Sequence, residues 1–441
     1  MQYNKMIVLL GLLLSAFANN CVSQGFDKQK LDQYIQNLST RGRFMGNLVV
    51  FQHNKKVYSN SIGFANIGAR VQSGDETMYR VGSISKTITA SLVLRAVEEG
   101  KIKLADSIKG FFPSVEHAGQ ITIEQLLNHH SGIHNFTGGN FMSWNTQYKS
   151  RHDLVDSIAK GGSDFLPGSK ALYSNSNYVL LSFILEDLYH KPYAAIVHER
   201  IAKPLKLKHF QVGDKATDSK TIAHSYFFEA GWNSARETDL SIPMGAGAIV
   251  SNAEDLAIVL NALFQGKLIS VEMLEKMEGQ SDGYGSGLFK KQLFEKTAYT
   301  HDGVIDAFNS YFYYFPQDQT LYILLSNAND GNLETVNNSI LSVIFNRPID
   351  LPLISSYSIA AKDLDLYAGT YTSQNSSLII DISGRNNYLL AQPHGQKVYT
   401  MEATDKNKFL HEKTGVVLEF NLSNNEMVMK QGQQTIVFRK Q

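Results

Sequence analysis

The run Val81-Gly82-Ser83-Ile84-Ser85-Lys86 places a serine hydroxyl and a lysine amine three positions apart. Residues at this spacing lie on the same face of a helix, so the amine of Lys86 can reach the hydroxyl of Ser83. A serine hydroxyl is a weak nucleophile and needs a base within hydrogen-bond reach before it attacks a carbonyl carbon. We therefore predict that Ser83 is an acylated nucleophile and that Lys86 is its base.

A second pair at the same spacing, Ser157 and Lys160, shows that spacing alone does not identify the nucleophile. The surroundings of the two pairs differ. Residues 85–99 carry apolar side chains at helical spacing and end before Gly100, whereas residues 153–160 have a polar face on which a lysine is solvated. The pattern favours Ser83, which follows a strand-like run and opens an apolar helix.

A lysine that acts as a base must spend time as the neutral amine, although the pKa of free lysine is about 10.4. The site must therefore remove water from the amine or supply a group that shares its proton. Tyr173-Ser174-Asn175 supplies a phenol and an amide on one loop before an apolar helix. The same tripeptide at residues 58–60 lies at a strand end before the nucleophile, so we predict that Tyr173 is the proton-sharing partner.

The tetrahedral intermediate of acyl transfer carries an oxyanion that needs backbone N–H donors. His301-Asp302-Gly303 precedes strand-like sequence, and an extended strand edge beside the nucleophile can provide such a donor. Gly303 would let substrate approach the backbone closely. His301 would offer a donor or a cation near a substrate carboxylate or near the Tyr173 and Lys86 pair.

Together these residues resemble the serine β-lactamase and penicillin-binding-protein superfamily, in the branch that holds class C β-lactamases, D-aminopeptidases and related esterases. The three motifs occur in the order of that family. Residues 121–133 (ITIEQLLNHHSGI) and residues 245–251 (GAGAIVS) are also similar to this branch. The resemblance covers about residues 25 to 345.

The resemblance implies a role for each matching residue. Ser83 is then the acylated nucleophile, Lys86 its base or proton relay, and Tyr173 the proton donor and acceptor for the leaving group and the deacylating water. Asn175 would bind a substrate amide, and the N–H groups of Ser83 and Val304 would form the oxyanion hole.

The third motif departs from the Lys-Thr-Gly of many β-lactamases and penicillin-binding proteins, because this chain has His301-Asp302-Gly303. The acidic Asp302 would repel a carboxylate-bearing antibiotic unless His301 is protonated. A literal Lys413-Thr414-Gly415 occurs far along the chain, between turn-like residues and a strand, and we interpret it as a hairpin turn. The departure leaves substrate choice open.

Strand-like runs before the nucleophile and at residues 310–315 and 321–326 flank a long helical region, which predicts an α+β fold with one antiparallel sheet. The resemblance adds that the site lies in the groove between this sheet and a mostly helical subdomain. After the proline-marked stretch Asn346 to Pro352, short strand-like runs separated by polar turns predict a small antiparallel meander or barrel. The runs cover residues 378–382, 388–390, 398–401, 416–420, 427–429 and 436–438. We expect a catalytic domain over residues 24–350 and a C-terminal β domain over residues 351–441.

The N-terminus, with Lys5 before the apolar run Ile7 to Ala18, reads as a secretory signal peptide of residues 1–23. A membrane-anchored or buried amphipathic N-terminus is the alternative. Lipidation at Cys21 is less favoured, because Asn20 stands where lipoprotein signals usually have a small residue. We expect export to the periplasm or the medium, with no integral membrane segment after cleavage.

The composition limits the classes of partner that we expect for the chain. It has 441 residues, of which 41 are basic and 41 acidic, so the formal net charge is zero and no long run of like charge suggests nucleic acid or a membrane surface. Cys21 is the one cysteine and lies in the leader, which excludes a disulfide, a thiol nucleophile or a cysteine-ligated metal in the mature chain. We expect a small-molecule or peptide substrate and neither a metal nor an organic cofactor; the oligomeric state is left open.

Three functions remain for this set of residues. The first is hydrolysis of an amide or ester, by a peptidase or esterase acting on D-amino-acid or cell-wall-related material. The second is a class C type β-lactamase. The third, of another class, is a penicillin-binding or sensor protein that is acylated without turnover.

Overall fold

The computed structural model describes residues 26–214, 221–279, 282–330, 333–349, 357 and 359–441. The expected signal peptide with Cys21 and the expected domain boundary between residues 350 and 351 lie outside these ranges. The helices are α1 (Lys28–Arg41), α2 (Ser85–Glu98), α3 (Ile123–Leu127), α4 (Arg151–Gly161), α5 (Asn175–Tyr189), α6 (Tyr193–Val197), α7 (Met244–Gly247), α8 (Ala253–Phe264), α9 (Val271–Glu278) and α10 (Leu333–Ile344).

The strands before the last helix are β1 (Met45–Gln52), β2 (Lys55–Ile62), β3 (Phe64–Asn66), β4 (Val71–Gln72), β5 (Tyr79–Arg80), β6 (Phe210–Val212), β7 (Tyr226–Phe228), β8 (Trp232–Ser234), β9 (Ile249–Ser251), β10 (Phe289–Leu293), β11 (Lys296–Ile305), β12 (Phe308–Phe315) and β13 (Thr320–Asn329). The central sheet has the order β10-β11-β12-β13-β1-β2, and all neighbours in that order are antiparallel. The predicted antiparallel sheet is therefore present. The sequence did not predict that β7 joins it by parallel pairing with β13.

Both faces of the central sheet are covered, which explains the unbroken apolar run of residues 321–325, all fully buried. Val49 and Ile323 pack in the cluster that contains the apolar side chains of α2, α5 and α8. Leu48 and Leu324, their neighbours along the same strands, pack in the cluster that contains those of α1 and α10. Alternate residues of a strand thus enter opposite cores.

The helical region between β2 and β10 is built around α2 and α5, whose apolar residues are almost all buried. Helix α2 matches the predicted helix over residues 85–99, and it begins directly after the turn that carries Ser83. Within the described ranges, no helix has the length and hydropathy needed to cross a membrane.

The C-terminal strands form a closed barrel, β14 (Gly369–Thr372), β15 (Ile379–Arg385), β16 (Tyr388–Pro393), β17 (Tyr399–Asp405), β18 (Lys408–His411), β19 (Val416–Asn421), β20 (Glu426–Gln431) and β21 (Gln434–Lys440). The predicted C-terminal all-β domain is confirmed; β14 and β18 were not predicted. Lys413-Thr414-Gly415 lies in the turn between β18 and β19, and Gly415 has a left-handed φ of 65°, as its interpretation as a hairpin turn requires.

Arg43 connects the barrel to the rest of the molecule. Its guanidinium lies 3.1 Å from a carboxylate oxygen of Asp330 and 2.5 Å from one of Glu402 in β17, and 3.7 Å from the centre of the Phe228 ring. The Arg43 side chain is only 12% exposed, so these charges interact largely away from water. The contact fixes where β17 meets the β7 and β8 hairpin.

We predict that Arg43→Met lowers the free energy of unfolding by about 2 kcal/mol, because the substitution removes the buried guanidinium that the carboxylates of Asp330 and Glu402 both contact. Urea unfolding followed by tryptophan fluorescence measures the change, since the ring of Trp232 lies 5.1 Å from Phe228. The matched control is Arg439→Met: Arg439 is 72% exposed and 3.3 Å from Glu426. The control should change stability by less than about 0.5 kcal/mol. Equal losses in both variants would contradict a specific role for Arg43.

Candidate active site

The turn that carries Ser83 needs a glycine. Gly82 has a left-handed φ of 52° and opens the 3₁₀ turn Gly82–Ile84, which runs directly into α2. The hydroxyl of Ser310 on β12 donates to the carbonyl oxygen of Val81 at 2.7 Å and so ties the turn to the sheet. Ser83 is thereby held between the sheet and the helical region.

Two groups converge on the Ser83 hydroxyl from different elements. Lys86 Nζ, in the first turn of α2, lies 2.9 Å from Ser83 Oγ. The phenol of Tyr173, in the loop before α5, donates to the same oxygen at 2.8 Å. The structure therefore brings the three residues into one hydrogen-bonded group, although they come from two distant segments.

Lys86 is fully buried, and its amine has a closed set of partners. Besides Ser83 Oγ, the amine donates to Asn175 Oδ1 at 2.8 Å and to the carbonyl oxygen of Ala246 at 2.7 Å. Burial lowers the pKa of Lys86 well below its usual value, and the nearby charge of Asp302 opposes that shift. As a neutral amine, Lys86 keeps two donors for Asn175 and Ala246 and turns its lone pair to the Ser83 hydroxyl.

Tyr173 and Asn175 differ in how their polar groups are bonded within the site. Burial raises the pKa of Tyr173, so the phenol is a neutral donor near neutral pH. Asn175 uses both ends of its amide within the protein, since its Nδ2 donates to Thr137 Oγ1 at 2.8 Å while its Oδ1 accepts from Lys86. The geometry makes Asn175 an orienting partner of Lys86 as well as a residue that lines the cleft.

Gly303 lies where a side chain would collide with the turn that carries Ser83. A Cβ there would be 2.1 Å from the carbonyl oxygen of Val81 and 3.0 Å from the backbone nitrogen of Ser83. On the facing segment, a Cβ on Gly82 would be 2.9 Å from the backbone nitrogen of Val304. The two predicted oxyanion donors thus belong to backbone segments in direct contact, with the Val304 side chain 61% exposed.

His301 is buried on β11, with Nδ1 2.6 Å from the carbonyl oxygen of Asp302 and its ring centre 6.4 Å from that of Tyr173. Burial, followed by the positive charge of Lys86, lowers the pKa of His301 to about 4. The imidazole is therefore neutral near neutral pH. Of the two roles expected for His301, the hydrogen-bond donor remains and the cation does not.

The second Ser-x-x-Lys pair and the second Tyr-Ser-Asn tripeptide make structural contacts away from Ser83. Lys160 is 78% exposed and pairs with Asp156 at 2.8 Å, one turn earlier on α4. Tyr58, in β2, donates to Asp32 at 2.5 Å and packs against Phe26. Neither group is near Ser83 in the contacts of the described residues, so the context that separated these patterns in the sequence also separates them in the fold.

His129 and Thr137 contact the site, and sequence reasoning did not assign either a role. The ring of His129 lies 4.5 Å from that of Tyr173, and Thr137 Oγ1 accepts from Asn175. The signal that could have found His129 is the stretch 121–133, which carried part of the resemblance. Its contact with Tyr173 is not visible in sequence, because 44 positions separate the two residues.

A cavity of about 250 Å³ opens beside Ser83. Its walls are mostly apolar, and its one charged residue is Asp306, whose carboxylate accepts from the backbone N–H and hydroxyl of Thr238 and lies 3.3 Å from Arg80. The lining includes Phe141, Met142, Ile242, Pro243, Val304 and Ile305. The lining therefore offers no cation to a substrate carboxylate. Within the described ranges, no cluster of histidine, aspartate, glutamate or cysteine could hold a metal ion.

Comparison with known proteins places this geometry in context. Residues 31–342 match the family model described as Beta-lactamase. A protein of Bacillus subtilis named as a penicillin-binding protein is 29% identical over 331 residues, which cover 72% of this chain and 78% of that protein. The teichoic acid D-alanine hydrolase of Staphylococcus aureus is 27% identical over 243 residues, which cover 55% of this chain and 59% of that protein.

One solved structure resembles the chain beyond the matched family region. The octameric penicillin-binding protein homologue from Pyrococcus abyssi aligns with a TM-score of 0.65 and 21% identity, over 93% of this chain and 100% of that one. At this level of identity the likeness concerns the fold. It extends over both the sheet with its helices and the C-terminal barrel.

We predict that Gly303→Ala lowers kcat/KM for p-nitrophenyl butyrate by about 100-fold or more, because the new Cβ must push β11 away from the nucleophile turn and separate the oxyanion donors. The matched control is Gly110→Ala, since a Cβ on Gly110 meets no heavy atom within 4 Å. The control should keep kcat/KM within about twofold. Full activity in Gly303→Ala would show that this close approach is not needed.

Proposed function

Because the chain belongs to the β-lactamase family and is a serine hydrolase, we propose that it cleaves an ester or amide through an acyl-enzyme on Ser83. The observation that carries the proposal is the convergence of Lys86 Nζ, at 2.9 Å, and Tyr173 Oη, at 2.8 Å, on Ser83 Oγ. Ester and amide hydrolysis require a base and a proton donor at the nucleophile, and these two side chains supply both.

In the acylation step, Ser83 Oγ forms a bond to the substrate carbonyl carbon while its proton passes to the neutral amine of Lys86. The carbonyl oxygen becomes an oxyanion between the N–H groups of Ser83 and Val304. The bond to the leaving group then breaks as Tyr173 donates its phenolic proton to that group, and Lys86 restores the phenol with the proton taken from Ser83. The products are an acylated Ser83 and a neutral alcohol or amine.

In the deacylation step, water attacks the acyl carbon and gives a proton through Tyr173 to Lys86. The acyl bond to Ser83 Oγ breaks, and Lys86 returns the proton to that oxygen. The acid product leaves, and the three side chains are again in the state in which they began.

Three features support a peptidase or esterase over an efficient β-lactamase. The third motif carries Asp302, which is exposed, and a neutral His301, so it offers no cation to a substrate carboxylate. The cavity beside Ser83 is lined by one carboxylate, Asp306, and by no lysine or arginine, so it suits a neutral or ammonium-bearing acyl group and not a carboxylate. The similar protein of Staphylococcus aureus is named for D-alanine hydrolysis from teichoic acid, which favours a D-aminoacyl ester or a related cell-wall substrate.

The similarity to a teichoic acid D-alanine hydrolase also favours the expected export, which we propose together with the signal peptide of residues 1–23. Because the expected cleavage site lies outside the described residues, the N-terminal sequence of the protein recovered from the cell envelope or the medium is the direct test.

We predict that a fluorophosphonate forms one covalent adduct on the mature protein and that Ser83→Ala abolishes both the adduct and hydrolysis, by 10³-fold or more, on the order of losses seen for catalytic serines. Intact-mass measurement and a panel of D-alanine amide, D-alanyl peptides, short-chain esters and a chromogenic cephalosporin provide the readouts. Ser157→Ala, in the second Ser-x-x-Lys pair, is the matched control and should retain both.

The same panel separates the alternatives. Turnover of the cephalosporin above the esters and amides would support a class C type β-lactamase. A stoichiometric burst of product with no further release would support a protein that is acylated without turnover. Hydrolysis that persists in Ser83→Ala would exclude the acyl-enzyme on that residue.

We predict that Asp302→Asn moves the rising limb of the pH profile of kcat/KM to lower pH. The neutral amine of Lys86 is the reactive form, so kcat/KM rises as pH passes through the pKa of Lys86. Asp302 raises that pKa because its negative charge favours the ammonium form, and removing the charge lowers the pKa. Tyr173, His129 and His301, which surround the amine, are neutral near neutral pH and supply no competing charge.

The matched control for this shift is Asp363→Asn, which removes an acidic side chain beside the C-terminal barrel. It should leave the pH profile unchanged. A limb that moves to higher pH in Asp302→Asn would contradict the assignment of that limb to Lys86.

A further inference from the structure

His129 contacts three consecutive residues of the loop that carries Tyr173. Its carbonyl oxygen accepts from the N–H of Leu172 at 3.0 Å, and its ring Nδ1 accepts from the N–H of Ser174 at 3.2 Å. Between these bonds, its ring lies 4.5 Å from the ring of Tyr173. One residue thus holds the backbone on both sides of the phenol and the phenol itself.

The hydrogen bonds around His129 determine which ring nitrogen carries the proton. The hydroxyl of Ser131 accepts from the N–H of Ile133 at 3.1 Å and donates to Asn177 Oδ1 at 2.7 Å. The amide of Asn177 then turns its NH₂ group toward His129 Nδ1, at 3.4 Å. Two donors, from Asn177 and Ser174, face this nitrogen, so it must be the unprotonated one.

The surroundings of His129 keep the ring neutral and the backbone fixed. The side chain is 2% exposed, and burial lowers its pKa well below the usual value, with the charge of Lys86 acting in the same direction. The backbone has a left-handed φ of 63°, a conformation that asparagine adopts more readily than most residues. A protonated ring would turn an N–H toward the N–H of Ser174 and break the bond that holds the loop.

We propose that His129 is a positioning residue for proton transfer: through its ring acceptor and its ring face it holds the phenol of Tyr173 at the Ser83 hydroxyl. The inference rests on the proposed function, in which Tyr173 protonates the leaving group. Displacement of a catalytic group by about 1 Å can cost about 100-fold in rate, so loss of this support should affect the step that needs the phenol.

The choice of leaving group isolates that step. Methoxide is a poor leaving group and needs a proton as the ester bond breaks, whereas p-nitrophenolate leaves without one. A loose phenol therefore slows the methyl ester and spares the p-nitrophenyl ester of the same acid. A general loss of folding would lower both rates equally.

The experiment compares kcat/KM for methyl butyrate and p-nitrophenyl butyrate in four variants of the full chain. His129→Phe keeps a ring and removes the acceptor. His129→Asn keeps an acceptor near the position of Nδ1 and suits the left-handed backbone. Asn177→Asp keeps the side-chain volume and replaces the donor that faces Nδ1 with an acceptor, and Tyr173→Phe is the reference for loss of the phenol.

We expect His129→Phe and Asn177→Asp to lower kcat/KM about 100-fold for methyl butyrate and no more than about threefold for p-nitrophenyl butyrate, as Tyr173→Phe does. His129→Asn should stay within about tenfold of the unsubstituted protein for both esters. His134→Asn is the matched control, because His134 is 47% exposed and pairs with Asp164 at the surface.

The outcomes test the role of Tyr173 and the role of His129 separately. If Tyr173→Phe slows both esters equally, the proposed role of Tyr173 fails. If Tyr173→Phe lowers kcat/KM for methyl butyrate selectively but His129→Phe and Asn177→Asp do not, the role of His129 is overturned. It is also overturned if His129→Asn lowers kcat/KM for methyl butyrate by more than about tenfold. Labelling of Ser83 by fluorophosphonate checks that each variant is folded, and Asn177→Asp decides the question if His129→Phe does not fold.

Discussion

The removal of Lys86 from water is the constraint on which the rest of the site depends. A buried amine without partners would be costly, and here its partners come from three parts of the chain, namely Ser83, Asn175 and the carbonyl group of Ala246. Helix α2 must therefore be buried on nearly every side, and α5 and α7 must lie close to its first turn. The core of the helical region thus lowers the pKa of the Lys86 amine and holds that amine within hydrogen-bond distance of the Ser83 hydroxyl.

A second requirement is that backbone atoms of the sheet and of the helical region lie in direct contact. The proposed oxyanion donors belong to the turn that carries Ser83 and to β11, and no side chain fits between these segments at Gly303. The hydroxyl of Ser310 fixes the same approach from β12 by its bond to Val81. Because both faces of the sheet are packed against helices, β11 and β12 cannot move away from the turn without loss of buried contacts.

Features that depend on neighbouring residues were predictable from the sequence, and features that depend on distant contacts were not. Helix α2 and the strands β1, β12 and β13 follow from local periodicity, and the place of Ser83 before an apolar helix separates it from Ser157. The short strands β14 and β18 gave no such pattern, because pairing within the barrel defines them. The tautomer of His129 depends on Ser131, Asn177 and Ser174, and only the fold shows that these residues surround it.

The charge balance of the site follows from the same buried amine. Burial, and after it the charge of Lys86 in its ammonium form, lowers the pKa of His301 to about 4, so the third motif is neutral at its first position and carries an acidic side chain at Asp302. A permanent cation at position 301 would disfavour the ammonium form of Lys86 and would lower the pKa of Lys86 further. A neutral histidine avoids that repulsion, and Asp302 moves the pKa of Lys86 in the opposite direction. The identity of the third motif thus influences the protonation of Lys86.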